Sequence, residues 1–332
     1  MADHDREKIL AALVIALIVS IAITTEILND LVDPYLNATD RVVNIFNFYS
    51  MHEGPSDNEV YFIGSSQAAG DIDSCILENI LKRRNISYQV YNIGYSGDTP
   101  LRRVTELPQL VQSKPKIVFI CLTYYGLNNP SFNISDDSLA LVSDRIILDS
   151  YTKSLLTKEE LALVNMNPFY LKFYKRGFIL PSLHACLLRR NLSADAEVAG
   201  NFKIPQTFNE NLTEDLMRIK LNNSRDVLDK YIVYKGDNNQ KRALNYTIAR
   251  LRSAGIDVAI INMPLNPILA AKVTNETRAN YFNFLDSMGI TYYDFESKFP
   301  VECYSDLTHL NSAGREAFSK DLAEIVAERV RR

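Results

Sequence analysis

Apolar runs of strand length alternate with helical periodicities over two stretches of the chain. Glu59-Val60-Tyr61-Phe62-Ile63 is a short apolar strand closed by Gly64, and Ile72 to Arg84 carries helical spacing through Ile76, Leu77, Ile80 and Leu81. Tyr88 to Ile93 reads as a second strand, Leu101 to Gln112 as a helix, and Lys116 to Leu122 as a third, fully apolar strand. The rhythm returns with a helix at Gln240–Ser253, a strand at Asp257–Ile261, a helix at Asn275–Met288, a strand at Thr291–Phe295 and a final helix at Ser312–Val330. Strands alternating with helices predict an α/β fold, a three-layer sandwich whose central parallel sheet is covered on both faces. Residues 131 to about 238 lack the alternation and contain helical pieces such as Lys158–Val164 and Asp215–Ile219. They read as a helical insertion within one domain, because the same rhythm continues after them.

The N-terminus has a different pattern. Ile9 to Thr25 is uncharged, preceded by Arg6 and Lys8 and followed by Glu26, Asp30 and Asp33. This predicts a single membrane-inserting segment with its N-terminus inside, extended by Ile27 and Leu28. Residues 1–28 are then an anchor, 29–57 a stalk or entry helix with Phe46, Phe48 and Tyr49 for packing, and 58–332 the folded domain. The alternative is a cleaved signal peptide ending near Ser20-Ile21-Ala22. An uncleaved anchor is favoured because the apolar run continues past that point. In both cases the domain faces outward, held in the cell membrane by one pass or secreted after cleavage. Asn37, Asn85, Asn133, Asn191, Asn211, Asn222, Asn245 and Asn275 each begin an Asn-x-Ser/Thr acceptor triplet, all after the apolar run, as an outward-facing glycoprotein would have.

Composition narrows the function classes. Of 332 residues, 47% are hydrophobic and 23% charged, which describes a foldable globular chain. A net charge of -4 and a pI near 5.7 argue against a nucleic-acid partner, and Lys82-Arg83-Arg84 reads as a solvated helix end. Four cysteines are too few for a disulfide framework. Cys75 and Cys121 are expected as buried free thiols in a helix and a strand, whereas a Cys186–Cys303 pair stays open. With no clustered His/Cys/Asp set, neither metal nor cofactor is expected.

Only four histidines are present. His4 precedes the apolar run, His52 lies ahead of the first strand, and His184 sits in an apolar stretch. His309 alone has an acid three residues before it, in Asp306-Leu307-Thr308-His309, so a general base and its orienting carboxylate can sit together there. In an open parallel sheet, ligands bind beyond the carboxyl ends of the strands. The first strand runs into Gly64-Ser65-Ser66-Gln67, where Ser66 either exposes a hydroxyl at a strand-to-helix turn or, like Ser65, caps the helix. The second leads to Gly94 and Gly97, which suit a loop that aims an N–H at an oxyanion or a plain tight turn. The third ends at Tyr124-Tyr125-Gly126-Leu127-Asn128-Asn129, where a side-chain amide can complete an oxyanion site or form an Asx turn.

In this order and at these strand ends, the blocks resemble those of the SGNH/GDSL hydrolase superfamily. The matching residues are Ser66 in Gly64-Ser65-Ser66, Gly97 in Ser96-Gly97-Asp98-Thr99, Asn128 in Gly126-Leu127-Asn128-Asn129, and the Asp306/His309 pair. The resemblance covers about residues 58–130 and 240–330 and implies a flavodoxin-like sheet. It also implies Ser66 as nucleophile, His309 as general base, Asp306 as the group orienting His309, and Ser66 N–H, Gly97 N–H and Asn128 as oxyanion hole. GSS stands where GDS is common and Asn129 replaces the usual Asp. The GSS form is similar to membrane-anchored branches resembling the D-alanyl-lipoteichoic-acid transfer protein and alginate O-acetyltransferases. This implies an extracytoplasmic O-acyl esterase or acyltransferase whose partners are an acylated or acyl-accepting surface glycan or lipid and a membrane protein supplying acyl donors. A non-catalytic surface module that binds or helps assemble glycans is the alternative. Tyr124, Tyr125, Arg102 and Arg103 are expected near the mouth of the site.

Overall fold

Strands form where β-branched and aromatic residues run together: β1 (Glu59–Gly64), β2 (Gln89–Asn92), β3 (Ile117–Leu122), β4 (Asp257–Asn262) and β5 (Tyr292–Asp294). The computed structural model describes residues 2–128, 141–164, 176–187, 200–207, 212–223, 231 and 236–331. All four strand pairings are parallel, in the order β2-β1-β3-β4-β5. That is the flavodoxin-like order, and its direction reverses between β1 and β3. Every residue of β1 and β3 is buried, which explains their uninterrupted apolar sequence: both faces of a central parallel strand are covered. Phe62 and Phe119 pair in register and stack with ring centroids 4.8 Å apart.

The helices relevant to the site are α1 (Ala2–Ile27), α2 (Asp33–Thr39), α3 (Arg41–Met51), α4 (Ser66–Asp71), α5 (Ser74–Arg83), α6 (Leu107–Ser113), α7 (Asn239–Ser253), α8 (Asn275–Ser287) and α9 (Ser312–Arg329). Their starts are set by local caps: Asp73, Asn238, Thr274 and Asn311 each accept a hydrogen bond from an N–H in the first turn. Right-handed crossovers put α5 and α9, which pack together, on one face of the sheet, with α6 and α7 on the other. The helix expected over 101–112 is split into a turn at Pro100–Arg103 and α6. Pro108 has no N–H to continue the ladder, so the helix restarts there.

Of the stalk and entry-helix readings of residues 29–57, α3 takes the second: it packs on α6, and Phe48 contacts the rings of Tyr61, Tyr91 and Phe202. Among the described residues, no helix is long and apolar enough to cross a membrane. Within α1 the uncharged run Ile9–Thr25 covers about 25 Å of helix at 1.5 Å per residue, against a hydrocarbon core of ~30 Å. From Ile9 to Ile23 the side chains are exposed.

Within residues 131–238 the described segments include helices Ser150–Leu155, Lys158–Val164, Ile179–Leu187 and Glu214–Asn223, without a strand among them. All four cysteines are free. Cys121 is buried as expected, but Cys75 is exposed, on the outer side of α5. Asn37, Asn85, Asn222, Asn245 and Asn275 are exposed, while Asn133, Asn191 and Asn211 lie outside the described residues.

Candidate active site

Ser66 is the first residue of α4, immediately beyond the carboxyl end of β1. Ser65 occupies the cap position but makes no side-chain cap bond, so neither serine spends its hydroxyl on the helix start. His309 arrives from a loop 243 residues away, and its Nε2 lies 3.0 Å from Ser66 Oγ. On the other side of the ring, Nδ1 is 2.8 Å from Asp306 Oδ2. A carboxylate can only accept, so Nδ1 carries the proton and the lone pair of Nε2 faces the serine hydroxyl.

The loop that delivers both residues is closed at its base. Ser305 N–H donates to His309 O at 2.9 Å, Asn311 N–H donates to Cys303 O at 2.9 Å, and Tyr304 and Leu310 form an antiparallel bridge. Inside it, Asp306 Oδ1 accepts the N–H groups of Thr308 (2.6 Å) and His309 (2.7 Å). One carboxylate therefore caps the turn with Oδ1 and orients the imidazole with Oδ2. Burial alone would raise the Asp306 carboxyl, but the His309 ring and the two backbone donors outweigh it and hold the pKa at about 2. Asp306 is thus ionised wherever the protein is folded at neutral pH.

Residues not singled out from sequence lock this loop to the serine helix. Gln67 Nε2 donates to Thr308 O at 2.9 Å and to Pro264 O at 3.2 Å. One turn later, Asp71 Oδ1 accepts the N–H of Leu310 at 2.9 Å. Gln67 and Asp71 are four residues apart on α4, so they grip the chain on both sides of His309. Asn266 Nδ2 holds Asp306 O at 3.0 Å from beyond β4. Asp71 is fully buried, and burial pushes its pKa up to about 8 against the opposing pull of His309 and the Leu310 N–H. The only advance signal for Gln67 and Asp71 is their place in the turn after the first strand, and their partners are backbone atoms distant in sequence.

Gly97 and Asn128 lie beyond β2 and β3, the two strands that flank β1, so the sheet order puts them on either side of Ser66. Gly97 has φ +75°, a conformation that disfavours any side chain. Asn128 is buried at the end of the helical turn Tyr124–Asn128. Below Gly97, Arg103 pairs with Asp98 and, at 3.0 Å, with Glu106, whose other oxygen accepts the Tyr95 hydroxyl at 3.1 Å. Asn92 Nδ2 donates to Ala68 O and Ile72 O, both at 2.8 Å, joining β2 to the serine helix.

The expected mouth residues need correction. Arg102 and Arg103 are 2% and 3% exposed and serve the interior, and Tyr124 is buried with its hydroxyl on Glu296 at 2.5 Å. Of that group only Tyr125 is partly exposed, its ring 5.7 Å from that of Tyr231 in the insertion. Charged residues default to the surface in a sequence reading, but these arginines bring their own counter-charges and aromatic faces into the core.

A space of about 30 Å³ lined by Ser65, Thr99 and Gly126 is too small for a substrate. A groove of about 700 Å³ runs beside the histidine loop, lined by Leu221, Pro267, Ile268, Lys272, Val301 and Glu302. Leu221 comes from the insertion, which therefore contributes a wall.

A family model for a domain of unknown function matches residues 211–331, just over a third of the chain. No curated protein matches it. Among solved structures, esterase AlinE4 carrying one Asp-to-Ala substitution matches at 14% identity with a TM-score of 0.34, covering 83% of this chain and 97% of its own.

Proposed function

We propose that this protein is a serine-dependent O-acyl esterase or acyltransferase. The observation that carries the reading is the continuous hydrogen-bonded chain Ser66 Oγ, His309 Nε2, His309 Nδ1, Asp306 Oδ2, with links of 3.0 and 2.8 Å. Ser66 Oγ attacks an ester carbonyl carbon while its proton passes to His309 Nε2, and Asp306 stabilises the imidazolium. Ser66 N–H, Gly97 N–H and the Asn128 amide receive the developing oxyanion. His309 returns the proton to the departing alcohol, leaving the acyl group on Ser66. Water or an incoming hydroxyl then loses its proton to His309 and attacks the acyl carbon, releasing Ser66.

The substrate class follows from location. The uncharged run Ile9–Thr25, flanked by Arg6 and Lys8 on one side and acids on the other, anchors the chain with the domain outside. Exposed acceptor asparagines at positions 37, 85, 222, 245 and 275 agree with that side of the membrane. The acylated partner is accordingly a surface glycan or lipid-linked polymer, and a transferase would draw its acyl group from a membrane donor protein.

A fluorophosphonate probe tests the reading directly. The wild-type chain is expected to be labelled and to hydrolyse p-nitrophenyl acetate, and Ser66→Ala to do neither. Labelling that survives Ser66→Ala, or a wild type inert in both assays, would reject it.

A further inference from the structure

The helix Ile179–Leu187 has its polarity reversed. Ser182 and Ala185 point inward at 1% and 3% exposure, while Leu180, Leu183 and Leu187 are 77%, 41% and 80% exposed. The three leucines lie at i, i+3 and i+7, a single stripe along the helix. The inward Ser182 hydroxyl donates to Phe178 O at 2.6 Å, so the buried side is satisfied within the chain and the apolar side is left over. A helix facing water shows the opposite arrangement.

Its position and its charge say what covers that stripe. The helix packs against the turn Leu28–Val32, which continues directly from α1. Its leucines therefore sit beside the exit of the exposed apolar run Ile9–Ile23. In sequence it lies within residues 161–194, which contain no Asp or Glu but carry Lys172, Lys175, Arg176, Arg189 and Arg190, in a chain whose net charge is -4. An outward apolar stripe between basic flanks is the pattern of a helix lying in the plane of a bilayer surface, attracted to anionic headgroups.

We propose that Ile179–Leu187 is an interfacial helix, inserting Leu180, Leu183 and Leu187 into the outer headgroup region of an anionic membrane next to α1. The inference rests on the anchored reading. A second attachment point of this kind stops the domain from swinging freely about α1 and holds its sheet at one orientation to the membrane.

The chain contains no tryptophan, so one substitution supplies a unique fluorescent reporter. Full-length Leu180→Trp, Leu183→Trp, Val14→Trp and Ser287→Trp proteins are compared in phosphatidylcholine/phosphatidylglycerol nanodiscs with and without brominated acyl chains. Ser287 is exposed at the end of α8, which leads into the edge strand β5, and serves as the water-facing reference. The expected result is blue-shifted emission from positions 180 and 183, with at least about half of it lost to bromine, as at position 14 and unlike position 287. Solvent-like, unquenched emission at 180 and 183 with quenching at 14 would overturn the interfacial helix and leave the anchor standing. No quenching at any position would overturn both.

Discussion

At the scale of single residues, Asp306 does two jobs that separate on substitution. Asp306→Asn keeps an oxygen for the turn but no longer offers a carboxylate to His309 Nδ1, so kcat should fall on the order of 10³–10⁴ with the thermal unfolding curve little changed. Asn128→Ala should lower kcat by ~10²–10³ with a smaller effect on KM, because an oxyanion donor acts in the transition state. Steady-state kinetics on p-nitrophenyl acetate checks both. Asp71 leads to a pH prediction. Its folded pKa of about 8 lies above the ordinary carboxylate value, so between those limits the unfolded chain releases this proton and the folded chain keeps it. Stability from this group is therefore undiminished at low pH and lost as pH rises towards 8. Asp306, with its depressed pKa, acts in the opposite sense and only at acid pH: its contribution is present above the ordinary carboxylate value and lost as pH falls towards 2. Urea midpoints between about pH 4 and 8 should fall in the wild type and flatten in Asp71→Asn, which still accepts the Leu310 N–H. Equal slopes in the two proteins would mean that Asp71 is ionised in the fold.

At the scale of elements, the loop from β2 to the Pro100–Arg103 turn depends on the buried Arg103 cluster. Removing this guanidinium leaves Asp98 and Glu106 buried without their counter-charge. Arg103→Ala should cost about 3–5 kcal/mol in equilibrium unfolding and disturb the Gly97 loop directly above. Gly64 is constrained by close approach: a Cβ there would stand 2.7 Å from Cys121 O on β3. Gly64→Ala should push β1 and β3 apart at the end that carries Ser66, seen as a lower Tm together with reduced fluorophosphonate labelling. The central strands β1 and β3 were legible because each is a nearly continuous apolar run with local turn signals. The role of Arg103 was not, since burial of a charge depends on counter-charges brought by the fold rather than on neighbours in sequence.

For the whole molecule, the anchor proposed above predicts that the chain sediments with membranes, resists alkaline carbonate, and keeps the residues that precede Ala22. Release into the soluble fraction with a new terminus near residue 22 would show cleavage instead. Local sequence determined the alternation of strands and helices, the apolar N-terminal run, and the identity of Ser66, Asp306 and His309, because periodicity, turn chemistry and residue type are written over a few positions. Their meeting was decided by tertiary structure. The sheet order reverses between β1 and β3 and places Gly97 and Asn128 around Ser66, and Gln67, Asp71 and Asn266 then hold a loop 243 residues away at hydrogen-bonding distance. The outward leucines of Ile179–Leu187 belong to the same category, because which face of a short apolar helix is buried depends on what it packs against.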